Sequence, residues 1–183
     1  MVFDLLTINF IYALVGLVVL VGTVILFYDY YCQASRLYKR YVRTFTWPLI
    51  MLTTLGGVAT TLLYSEYFGI VPCSLCWLQR IALYPQALLS IIAFRAKDTV
   101  FFPLYGIALS VFGLLVAIYQ YIYQLVPKEV IQAGIMPCLA DGSADCGDKV
   151  MEVFGFVTFP FLSAVLFAFL IVLYLNLRRD RDE

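Results

Sequence analysis

Of the five cysteines in this 183-residue chain, four fall in two close pairs. Cys73-Ser74-Leu75-Cys76 is a CxxC preceded by Pro72 and followed, four residues after Cys76, by Arg80; Cys138 and Cys146 form the second pair, with seven residues between them. Thiols two residues apart at a helix start can close a small ring and exchange electrons with another dithiol. Cys76 would lie among the free N–H groups at the positive end of a helix, which favours a negative charge on sulfur. Arg80, at i+4, shares that helical face and adds a cation that does not lose its proton. The second pair is flanked by Asp141, Asp145 and Asp148, which disfavour a thiolate there. The asymmetry is consistent with electrons moving from the loop pair toward Cys76.

Other chemistries fit these residues less well. Two structural disulfides in a scaffold protein would also use four cysteines. The Cys138–Cys146 ring would then contribute about 2–3 kcal/mol through loop entropy, and a CxxC ring is too small to staple anything. A zinc site would use four thiolates, but the chain has no histidine and C-x7-C is a poor zinc knuckle. No metal is expected. Cys32, outside both pairs, reads as an ordinary interfacial thiol.

The elements that must carry these residues are membrane helices. Hydrophobic residues make up 63% of the chain and charged residues 13%, more apolar surface than a soluble domain of this size can hide. Five stretches are long and uncharged: Leu5–Tyr28, Thr44–Ser65, Ile81–Phe94 with its flank back to Trp77, Thr99–Val126 and Val153–Leu177. A helix needs about 20 residues to cross the hydrocarbon core. The third stretch reaches that length only by starting near Ser74, which carries Arg80 into or near the membrane, where an ionisable residue is a functional candidate by default. The expectation is an all-α, polytopic membrane bundle of five spans without a soluble domain. The first span lacks a preceding basic residue and a small-x-small cleavage site, so it reads as a retained helix.

Charge sets the expected orientation. Arg36, Lys39, Arg40 and Arg43 lie between spans one and two, Arg95 and Lys97 between three and four, and Arg178, Arg179 and Arg181 after span five; the other side carries Lys128 and Lys149. Basic residues are enriched on the cytoplasmic side. The N-terminus and both cysteine loops are therefore expected outside and the C-terminus inside. In a bacterium that places the cysteines where disulfides persist.

Along the chain, span one ends in an aromatic cluster, Phe27, Tyr28, Tyr30 and Tyr31, of the kind found at membrane interfaces. The basic segment 33–43 reads as a short helix on the inner surface. Thr53, Gly56, Gly57, Thr60 and Thr61 in span two read as small residues that let helices approach closely. The short loop Glu66–Val71 makes spans two and three a hairpin with the CxxC at its outer tip. Pro103 is tolerable in the first turn of span four. In the second outer loop, 130–136 reads as a short interfacial helix and Asp141-Gly142-Ser143 as a turn.

Val71-Pro72-Cys73-Ser74-Leu75-Cys76-Trp77-Leu78-Gln79-Arg80, followed by Tyr84-Pro85, resembles the signature of the bacterial disulfide bond formation protein B (DsbB) family. The close loop pair, and Gly155-Phe156-Val157-Thr158-Phe159-Pro160 opening the last helix, resemble its short disulfide bond formation protein C (BdbC-like) branch. The resemblance covers about Trp47 to Leu177. It implies a four-helix bundle, to which this chain adds an N-terminal helix: 1–45 for the extra helix and basic segment, 46–177 for the bundle, 178–183 for a cytoplasmic tail.

The resemblance further implies a quinone-dependent disulfide oxidoreductase of the bacterial plasma membrane. An extracytoplasmic thioredoxin-like (DsbA-like) thiol oxidase would attack the loop disulfide at Cys138, Cys146 would exchange with Cys73, and Cys76 would face a membrane quinone, ubiquinone or menaquinone, beside Arg80. Lipid is the remaining expected partner; nucleic acid is not expected. With no histidine, protons for the quinone would come from water, a tyrosine or Glu66. The vitamin K epoxide reductase type is the enzyme rival, but there the CxxC follows the loop pair, whereas here it comes first.

Overall fold

The computed structural model describes residues 5–32, 36–126 and 146–182, with the side chains of 36–43 and 180–182 left aside. Five helices carry the described chain: α1 (Leu5–Cys32), α2 (Arg36–Leu62), α3 (Ser74–Ala96), α4 (Phe101–Leu125) and α5 (Phe159–Asp182). Each contains a stretch long and apolar enough to cross a membrane. No regular strand occurs among the described residues; Val153 and Val157 form one isolated antiparallel bridge.

Packing explains the architecture. α2 contacts α3, α3 contacts α4, α4 contacts α5, and α5 returns to α2, which closes a four-helix bundle; α1 lies outside this ring against α5. The core is lined by Ile50, Leu83, Phe167, Leu170, Leu173 and Tyr174, all buried. Hydrocarbon offers no hydrophobic gain for helix association, so close van der Waals approach must hold the helices. α4 achieves it with glycine: a Cβ at Gly106 would strike the Tyr174 ring, and one at Gly113 the Phe167 ring. Buried polar groups are matched in the same core. Gln86 Oε1 accepts from Ser110 Oγ at 3.0 Å and from Tyr174 OH at 2.9 Å.

α1 is tied to the bundle at both ends. Toward the cysteine side, Tyr64 OH donates to Asn9 Oδ1 at 2.6 Å, and Ala13 is buried with Met151 and Val157. At the other end Arg179 Nη1 donates to the Tyr30 carbonyl at 3.0 Å and its guanidinium lies over the Tyr30 ring.

Three local readings of the sequence change. The basic segment does not form a separate surface helix: α2 runs unbroken from Arg36 through Pro48 to Leu62, since no glycine or proline stops it before Trp47. The last helix starts at Phe159 rather than Val153, because Phe154 and Gly155 take positive φ (57° and 77°) and turn the chain back between Val153 and Val157. Gly57 packs against Leu83 and Leu166 as expected, but Gly56 faces open space. The expected interfacial helix at 130–136 and the turn at 141–143 lie outside the described residues.

Candidate dithiol site

The site begins where α2 ends. After Leu62 the helix widens into a π-helical segment, Leu63–Tyr67, and Phe68 N bonds back to Leu63 O at 3.2 Å. Such segments are rare and concentrate at functional sites. Gly69, at φ 67°, then allows the turn toward Pro72.

Cys73 is the N-cap of α3: its backbone is extended (φ −71°, ψ 170°) and its sulfur accepts from the Cys76 N–H at 3.4 Å. The cap folds the two sulfurs together, 2.8 Å apart, and both thiols are free. Cys73 is 6% exposed. Its hydrogen bond to Cys76, and then its burial, hold the Cys73 thiol far above the usual range.

Cys146 joins them. It is 1% exposed and lies in the same buried cluster as Cys73, Leu75 and Tyr123, with Cys76 packed against the cluster. Cys146 is disulfide-bonded; Cys138, its expected partner, lies outside the described residues, as do Asp141 and Asp145. Gln124 Nε2 on α4 holds the loop, donating to the carbonyls of Cys146 at 3.5 Å and Asp148 at 3.4 Å.

Arg80 is buried one turn below Cys76 and turned toward α2, where Nη2 donates to the Thr61 carbonyl at 2.9 Å. Its guanidinium lies 5.2 Å from the centre of the Trp77 ring, a cation–π distance. The Thr61 hydroxyl in turn meets Tyr84 OH at 3.0 Å. Glu66, considered as a proton source, is exposed and accepts from Ser65 Oγ at 3.1 Å.

One site residue escaped the sequence reading. Gln120 of α4 is 3% exposed, and its Nε2 lies 3.3 Å from Cys73 Sγ and 3.5 Å from Cys76 Sγ. The available signal was polarity: Gln120 and Gln124 stand one turn apart in a helix otherwise polar only at Ser110 and its tyrosines, and an amide in hydrocarbon requires partners.

Fold and site together define a helical membrane protein with a buried dithiol beside a disulfide-bonded loop. The comparisons agree with that class. The family model for disulfide bond formation protein DsbB matches residues 43–177, and the chain belongs to this family. A probable disulfide formation protein of Oceanobacillus iheyensis is 38% identical over 74% of this chain and 90% of the relative. The SPbeta prophage-derived disulfide bond formation protein B of Bacillus subtilis is 37% identical (75% and 88%). Disulfide bond formation protein C of Bacillus subtilis is 32% identical (75% and 93%). No solved structure matches the chain. The matched region is the four-helix ring; α1 lies outside it.

Proposed function

We propose that this protein is a quinone-dependent thiol:disulfide oxidase that reoxidises an extracytoplasmic thioredoxin-like partner, with the N-terminus and both cysteine loops outside and the C-terminus inside. The observation that carries the reading is the burial of Cys146, disulfide-bonded, in one cluster with the free Cys73 and Cys76.

In this reading a partner thiolate attacks Cys138 Sγ, a mixed disulfide forms, and Cys146 leaves with the electron pair. The partner's second thiol then displaces Cys138, so the partner departs oxidised and the loop pair is reduced. Cys146 next attacks Cys73 of the Cys73–Cys76 disulfide, and Cys76 leaves as thiolate. Cys138 attacks Cys146, restoring the loop disulfide and releasing the Cys73 thiol. Each step is thiolate attack on a disulfide sulfur.

The residues present fit a quinone. Arg80 commits one N–H to Thr61 and, among the described residues, keeps its other donors for an acceptor oxygen. Trp77, half exposed on the helix surface, offers an aromatic face toward lipid. Arg80 and Trp77 would hold the ring; when bound, the quinone supplies the two-electron acceptor that takes the electrons from the CxxC thiols. The chain's own part is to keep Cys76 reactive and the cation fixed.

The test is anaerobic reduction of a soluble quinone analogue by the purified protein supplied with a reduced thioredoxin-like partner. Quinol formation that requires both cysteine pairs is expected. Absence of turnover, with Cys73 and Cys76 never cycling, would overturn the reading.

A further inference from the structure

We infer that Gln120 is a catalytic residue of the dithiol, its amide N–H stabilising the sulfur anion generated during exchange, and that Gln79 is the positioning residue that orients that amide. This rests on the dithiol-exchange reading above and names the groups that serve it.

The geometry carries the assignment. Gln79 Nε2 donates to Gln120 Oε1 at 2.7 Å. That bond holds the oxygen end of the Gln120 amide, which stands 4.0 Å from Cys76 Sγ, and leaves its Nε2 nearer the sulfurs, 3.3 Å from Cys73 and 3.5 Å from Cys76. One donor group thus spans both atoms of the bond that breaks and forms. Arg80 donates to the Thr61 carbonyl on α2, away from the sulfurs, so among the described residues Gln120 is the side chain outside the CxxC whose donor lies on the reacting atoms.

The chemistry needs such a group. When an incoming thiolate attacks Cys73 Sγ, a new S–S bond forms at Cys73, the Cys73–Cys76 bond breaks, and its electron pair leaves on Cys76 Sγ. No proton need move in that step. Burial makes the resulting anion costly unless it is hydrogen-bonded. An amide is suited to the task because it donates without surrendering a proton, so the anion is stabilised but not neutralised. An acid in its place would protonate the sulfur and stop onward electron transfer. Gln79 matters because a carboxamide can rotate and present its oxygen, which would repel a thiolate.

The test uses the full-length protein carrying Cys32→Ser, Cys138→Ser and Cys146→Ser, so that one redox pair remains. The Cys73–Cys76 pair is titrated against glutathione, and the alkylation rate of its reduced form is measured at pH 7. Loss of a donor to the reduced, anionic form favours the disulfide. Gln120→Leu is expected to shift the equilibrium about tenfold toward disulfide, about 30 mV more reducing, and to slow alkylation about tenfold. Gln120→Met, of similar length and without a donor, is expected to do as much. Gln79→Leu, which leaves Gln120 in place, is expected to give about a threefold change in both. A purely packing role would lower stability without moving either quantity. Variants that titrate and alkylate within twofold of the parent would overturn the role of Gln120; a Gln79→Leu effect equal to that of Gln120→Leu would overturn the division of labour. A parent in which Cys73 and Cys76 never form a disulfide would overturn the dithiol reading itself.

Discussion

Arg80 on α3 reaches across to α2 and donates from Nη2 to the main-chain carbonyl of Thr61 at 2.9 Å, two residues before that helix widens into its π-helical segment. The same carbonyl accepts from Ser65 Oγ at 3.1 Å, and the guanidinium also covers Trp77. A fork of fixed donors can hold this anchor and still present N–H groups elsewhere; an ammonium cannot do both with the same geometry. Arg80→Lys should therefore raise the apparent KM for a quinone analogue about tenfold, the worth of one hydrogen bond to a charged group, while the KM for the reduced partner stays unchanged. Steady-state kinetics with each substrate varied in turn would check this. Equal quinone KM values in the two proteins would remove Arg80 from the site.

The burial of Cys146 against Cys73 makes a second outcome specific. Cys76→Ala removes the group whose departure or attack resolves the Cys73 bond, so quinone reduction should be abolished. When the variant also carries Cys138→Ser, which frees Cys146 and removes the thiol that would release Cys73, incubation with oxidised glutathione should trap Cys73 in a bond to Cys146, with two glutathione thiols as the other product. Peptide mapping by mass spectrometry would find the Cys73–Cys146 linkage. Retained turnover, or a variant whose Cys73 pairs only with glutathione, would sink the relay.

Much of this was legible from the residues, for physical reasons. Five apolar runs had no alternative to spanning lipid, and the need for span three to begin near Ser74 correctly put Arg80 inside a helix. What stayed hidden was what a one-dimensional pattern cannot carry. Gln79 and Gln120 are 41 residues apart in sequence, and nothing local announces that their amides meet over the sulfurs. The destination of Arg80 was equally invisible, because its acceptor is a backbone carbonyl, which every residue possesses. The late start of α5 was missed because Val153 and Phe154 look like apolar helix residues; only the positive φ values at Phe154 and Gly155 reveal the turn. Gly56 and Gly57 are adjacent, and sequence alone does not say which one faces a neighbour.

That last distinction yields a stability prediction. At Gly113 a Cβ would meet the ring of Phe167, which has no exposed surface through which to retreat. Gly113→Ala should destabilise the bundle by about 1–3 kcal/mol through overpacking. Gly56→Ala, where a Cβ meets nothing, should cause no loss. Thermal unfolding of both variants in the same detergent would show a lower Tm for the first alone. Equal Tm values would mean that α4 and α5 do not approach as closely as described.

The bond from Tyr64 OH to Asn9 Oδ1 joins the helix outside the family match to the π-helical end of α2. Both residues are buried, at 5% and 7% exposure, so neither group can exchange its partner for water without local opening. Interhelical hydrogen bonds in membranes are nevertheless modest, because the unfolded helices also find partners. A double-mutant cycle of Asn9→Ala and Tyr64→Phe should accordingly give a coupling of about 0.6–1.7 kcal/mol, not the several kcal/mol of an isolated bond in hydrocarbon. Neither substitution touches a sulfur or Arg80, so quinone reduction by the folded variants should stay within about twofold of the parent, a change of under 0.5 kcal/mol in barrier height. Coupling near zero would mean that α1 is held only by packing such as Ala13 against Met151 and Val157. A loss of turnover much larger than twofold would show that the added helix sets the geometry of the dithiol site, through the turn that carries Tyr64.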